Sequence, residues 1–84
     1  MPLTRDFEDM LRSLLAKGKE EGNLHLDVIA GDLHRIVGGY PGPQHRMPLC
    51  CDVMRKAMKP GDEVLSSPPK GKGATLNIRY YLPR

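Results

Sequence analysis

Apolar residues near the start of the chain recur at helical spacing. Phe7, Met10, Leu11, Leu14 and Leu15 fall at i, i+3, i+4, i+7 and i+8, one stripe of an α-helix. Thr4 or Asp6 is placed to cap its start, Lys17 and Lys19 suit the negative end of its dipole, and Gly18 or Gly22 ends it. The helix is expected to bury its stripe and to carry no chemistry. Residues 23–27, "NLHLD", alternate polar and apolar and read as a very short strand. Asp27 is then expected to cap a second helix of about eleven residues. Ile29, Leu33, Ile36 and Val37 keep the helical spacing there, and Gly38-Gly39 stops it.

A third helix is expected after the segment "GYPGPQHRMPLCC", in which glycine and proline crowd against polar residues and two adjacent cysteines. Pro48 suits its first turn, where a missing N–H costs no hydrogen bond. Leu49, Cys50, Val53, Met54, Ala57 and Met58 make a broad apolar stripe, with Cys51, Asp52, Arg55 and Lys56 on the other face. Lys59-Pro60-Gly61 ends it. The period then switches from helical to two. Residues 63–67 read as a strand, and in residues 75–82 Leu76, Ile78, Tyr80 and Leu82 alternate with Thr75, Asn77, Arg79 and Tyr81. Between these runs lies "PPKGKGA", too long and proline-rich for a two-residue turn. The chain is expected to end in a β-hairpin with a basic, glycine-rich tip.

The expected order is helix, short strand, helix, helix, strand, basic loop, strand, an α+β fold in a single domain over residues 1–84. Through "DVIAGDLHRIVG", "PLCCDVMRKAM" and "EVLSSPPKGKGATLNIRYYL" the chain resembles the winged helix-turn-helix family over nearly its whole length. The resemblance implies a three-helix domain whose third helix is the recognition helix, whose C-terminal β-hairpin is the wing, and whose ligand is duplex DNA. It further implies a small transcriptional regulator or accessory factor. Such helices are usually joined by about three or four residues. Here Gly39 to Met47 separates them, so either the third helix begins before Pro48, near Pro43, or the turn is extended.

Composition narrows the classes. With 39% hydrophobic and 27% charged residues, the chain has the make-up of a globular domain rather than a disordered tail. Its 84 residues allow only a small core. No apolar run approaches the roughly 20 residues that cross a bilayer, so no membrane association is expected. Acids interrupt the N-terminal apolar positions, unlike a signal peptide. Adjacent cysteines do not build a disulfide framework, which makes a reducing, cytoplasmic location the expectation. Residues 1–33 hold four Lys/Arg against seven acids, net −3, whereas residues 34–84 hold nine against three, net +6. The basic C-terminal part offers a face to a polyanion.

The candidate DNA-binding residues follow from the resemblance. Gln44, His45 and Arg46 stand at or before the start of the third helix, the end from which a recognition helix contacts base edges. Arg46 suits a guanine edge or a phosphate and Gln44 an adenine. Arg55 and Lys56 project from the outer face of that helix, Lys70 and Lys72 sit among glycines at the hairpin tip, and Arg79 lies on the outward face of the last strand. Asp52 on the same helix face opposes a polyanion.

Other chemistries find less support. Neighbouring cysteines on a helix point about 100° apart and rarely serve one ion, so Cys50, Cys51 and His45 are not expected to form a zinc site. A cysteine near a helix N-terminus has a lowered pKa, but no Cys-x-x-Cys occurs and no Asp or Asn is placed to orient His45. Cys50 is expected in the core and Cys51 nearer the surface or beneath the preceding loop. "GKGAT" lacks the phosphate-loop pattern. No catalysis, cofactor or small-molecule substrate is expected. The alternative from another class is a winged-helix protein-interaction module without nucleic-acid binding, anchored by exposed Tyr40, Met47 and Tyr81. Homodimerisation through the first helix is compatible with either.

Overall fold

In a computed structural model that describes residues 3–38, 46–69 and 73–82, the chain forms three helices and a three-stranded antiparallel sheet. Helix α1 spans Thr4–Glu20 and buries Phe7 and Leu11. Neither Thr4 nor Asp6 is the N-cap residue. Leu3 holds that position, and its backbone N–H donates to the Asp6 carboxylate at 2.7 Å, the acidic half of a capping box. The helix runs through Gly18 and ends at Gly22, whose φ of +79° suits glycine. There the N–H of Asn23 reaches the carbonyl of Gly18 and that of Gly22 reaches Lys19, a Schellman pair that satisfies the last turn.

Strand β1 spans His25–Ile29 and helix α2 spans Ala30–Val37. Both differ from expectation for one reason: β1 pairs along its length with the last strand, which holds Asp27 and Val28 extended. Asp27 therefore caps nothing. The first N–H groups of α2 are satisfied instead by carbonyls of a distant segment, Ala30 N–H to Leu76 at 2.8 Å and Gly31 N–H to Ala74 at 2.9 Å. The later start also turns the buried face of α2. Ala30, Gly31, Leu33 and His34 face the core, and Ile29 and Ile36, expected in the stripe, are exposed.

Helix α3 spans Met47–Lys56 with Arg46 at its N-cap and Pro48 in its first turn. It starts no earlier than Met47, so nine residues, 38–46, lie between α2 and α3. Strands β2 (Glu63–Ser66) and β3 (Asn77–Tyr81) complete the sheet in the order β1-β3-β2. A register shift between Val64 and Ser66 marks a bulge in β2. The alternation in β3 holds: Leu76, Ile78, Tyr80 and Leu82 are buried against the helices. Full burial of each such side chain contributes about 1.5–3 kcal/mol. Among the described residues, no helix is long and apolar enough to cross a membrane.

Candidate functional site

Three polar side chains hold α3 against its neighbours. His34, fully buried on α2, meets the Phe7 ring edge-on at a centroid distance of 4.9 Å. Its Nε2 accepts the backbone N–H of Arg46 at 2.8 Å. An acceptor at Nε2 requires the neutral ring with its proton on Nδ1. The buried end of α2 thus fixes where α3 begins. Further along α3, the buried Tyr80 hydroxyl donates to the Met54 carbonyl at 2.7 Å, tying the helix to the centre of the sheet. Asp62 organises the turn after α3, accepting the N–H of Lys59 with one carboxylate oxygen and that of Tyr81 with the other, each at 2.9 Å.

The same helix grips both ends of the loop between β2 and β3. Arg55 Nη2 donates to the Ser67 hydroxyl at 3.3 Å, just after β2. The Cys51 thiol donates to the Gly73 carbonyl at 3.3 Å, shortly before β3. The loop is therefore seated beside α3 on both flanks.

The sequence-derived candidates separate into four groups. Arg46 is exposed at the N-cap of α3, and Arg55 is half-buried at the loop junction near the other end of the helix. No acid occurs in the first turn of α3, so no carboxylate of that turn complements the positive end of its dipole. Lys56, though exposed on α3, turns toward α1 and borders a groove with it. Arg79 lies on the sheet face opposite the helices, since its neighbours Ile78 and Tyr80 point inward. There its guanidinium makes two bonds to the Asp27 carboxylate, at 2.8 and 3.1 Å. These bonds hold Asp27 below the usual carboxylate range, against the opposing effect of partial burial and helped by the Arg79 charge and nearby His25. The same hydrogen bonds raise the pKa of Arg79. Arg79 thus shares no face with Arg46 and Arg55. Gln44, His45, Lys70 and Lys72 lie outside the described residues, as does Tyr40.

Two expectations about the apolar residues are corrected. Met47 is 95% buried in the core and is no exposed anchor, whereas Tyr81 is exposed. Cys51 is as fully buried as Cys50, beneath the loop between β2 and β3 rather than near the surface. Burial, with a smaller contribution from neighbouring Cys51, pushes the Cys50 thiol up to about 12, opposite to the lowering expected near a helix N-terminus. Cys50 points its thiol at the Ala30 carbonyl and packs as a small apolar group. Among the described residues, no three His, Cys, Asp or Glu side chains gather as metal ligands would.

His34 and Asp62 were not singled out from the sequence, and Asp27 was expected only as a helix cap. Only His34 carried a usable signal: Ala30, Leu33, His34 and Val37 stand at i, i+3, i+4 and i+7, which places the histidine on the buried stripe. No family model matches the chain, and no curated protein or solved structure is significantly similar to it.

Proposed function

We propose that the chain is a winged-helix domain that binds duplex DNA through the start of α3 and the loop between β2 and β3. The element order and the sheet order β1-β3-β2 are compatible with that family's arrangement. The observation that carries the reading is the double attachment of the loop to α3, Arg55 to Ser67 on one flank and Cys51 to Gly73 on the other. A helix and a loop locked side by side form one surface that a duplex meets together, the helix toward a groove and the loop toward the backbone.

In this reading Arg46 and Gln44 face bases or phosphates at the start of α3, with His45 beside them. Arg55, Lys70 and Lys72 neutralise phosphates along the loop. Arg79 and Lys56 leave the DNA set, the first because Asp27 holds it on the far face of the sheet, the second because it borders the groove with α1. No catalytic step is proposed.

Fluorescence anisotropy with a labelled duplex at two salt concentrations tests the reading. Four neutralised phosphates give a slope of log K against log salt of about −4. Lys70→Ala/Lys72→Ala is expected to weaken all duplexes alike and flatten that slope, and Arg46→Ala to weaken binding in a sequence-dependent way. Arg79→Ala is expected to leave affinity unchanged. A chain that binds no duplex at low salt overturns the proposal in favour of a protein-interaction module.

A further inference from the structure

Helices α1 and α3 do not close fully on one another. Between α1 and the C-terminal half of α3 they leave a groove of about 480 Å³. Its apolar lining comes from Leu11 and Leu15 on α1, Val53 and Ala57 at the end of α3, and Leu82 after β3. Leu11, Val53 and Leu82 are buried, Leu15 and Ala57 half-buried, so these side chains form the floor.

The rim is mostly cationic. Arg12 and Lys19 on the α1 side and Lys56 and Lys59 on the α3 side border the groove, against the single acid Glu8. Arg12 bridges to Asp9 at 3.1 Å, but both side chains are well exposed, and such a pair is weak. Lys19, Lys56 and Lys59 have no ion-pair partner among the described residues.

An apolar floor between two cationic walls is the complement of a segment with an apolar stripe flanked by acids on both sides. The walls are themselves helices, and the floor presents i, i+4 pairs, Leu11 with Leu15 and Val53 with Ala57, the ridge spacing into which a further helix packs. Arg12 and Lys19 stand seven residues apart on α1, about 10 Å along its axis, the length of two helical turns. We propose that this groove docks an acidic amphipathic helix of a partner protein, by the helix-in-groove mode. The groove lies at the opposite end of α3 from Arg46, a helix length of about 15 Å away, and Arg55, which is nearer, is bonded to Ser67 of the loop and does not line it.

The test uses the full chain and a fluorescein-labelled 14-residue peptide with leucines at helical i, i+3, i+4 spacing and glutamates elsewhere. A scrambled peptide of the same composition, whose leucines share no face, is the control. Saturable one-to-one binding of the first peptide and much weaker binding of the second are expected. Reversing two exposed rim charges, Lys19→Glu/Lys59→Glu, is expected to weaken the peptide by about tenfold, within the combined worth of two exposed ion pairs. Thermal melting of that variant is expected to match the unmodified chain, and its affinity for duplex DNA to fall far less than its affinity for the peptide. Equal binding of both peptides, or undiminished binding by the variant, overturns the proposal. So does a parallel loss of duplex and peptide, which assigns the rim to nucleic acid. Sedimentation that finds a dimer dissolved by the same variant assigns the groove to a second copy and overturns it too.

Discussion

His34 does for α3 what a serine or aspartate does at an ordinary helix start, but from the opposite direction. Instead of a side chain at the N-cap reaching forward, a buried ring on α2 accepts the N–H of the N-cap residue Arg46. His34→Phe keeps a ring against Phe7 and removes the acceptor of the Arg46 N–H. It is expected to cost about 1–3 kcal/mol in urea unfolding, the usual loss when a buried donor loses its partner. A cost near zero would mean that packing alone fixes the start of α3. The cysteines make a second residue-scale expectation. With both thiols fully buried and that of Cys50 raised to about 12, Ellman's reagent is expected to react only as fast as the chain unfolds. Immediate stoichiometric labelling of the native chain would contradict that burial. The sequence made Cys50 legible as core, because it sits on the apolar stripe. Cys51 was not legible, because the loop that covers it comes from residues more than twenty positions away.

At the scale of elements, helical and strand periodicities located α1, α3 and β3, because each rests on a one-sided burial that local spacing records, whereas β2 is exposed at all four positions and is held by its pairing with β3. The limits of β1 and α2 were misplaced because a local cap rule at Asp27 competed with strand pairing to β3, and pairing won. The consequence is the close seating of α2 on residues 74–76. A Cβ on Gly31 would stand 3.2 Å from both the Cβ and the carbonyl oxygen of Ala74, an oxygen already held by the Gly31 N–H. Gly31→Ala therefore forces backbone apart. It is expected to destabilise by about 1–3 kcal/mol despite the better helix propensity of alanine. Equal or higher stability by denaturant titration would show that the loop yields. The pair between β1 and β3 makes a pH expectation. Asp27 is depressed in the folded chain, so its contribution is present above the unfolded carboxylate value and fades as pH falls through the folded one. Asp27→Asn is expected to lower the melting temperature at neutral pH and to converge with the unmodified chain in acid. Parallel curves at all pH values would remove the pair from stability.

For the whole molecule, the excess of basic residues after position 33 suggested one cationic face, and the fold distributes those charges over several. Arg46 stands at the start of α3, Arg55 at the loop junction, Lys56 and Lys59 border the groove with α1, and Arg79 is bonded to an acid behind the sheet. Sequence order counts charges, but their faces depend on how β3 inserts between β1 and β2. That division separates the proposed duplex surface, the start of α3 and its loop side with Arg55, from the proposed acidic-helix groove beside α1. The most direct measurement is a chemical-shift map of the isotopically labelled chain titrated with duplex DNA. Binding through α3 and the hairpin loop places the largest shifts at Arg46, Arg55, Ser67 and Gly73 and leaves Asp27 and Arg79 in place. Absence of shifts at low salt, or a footprint centred on Asp27 and Arg79 behind the sheet, would contradict it.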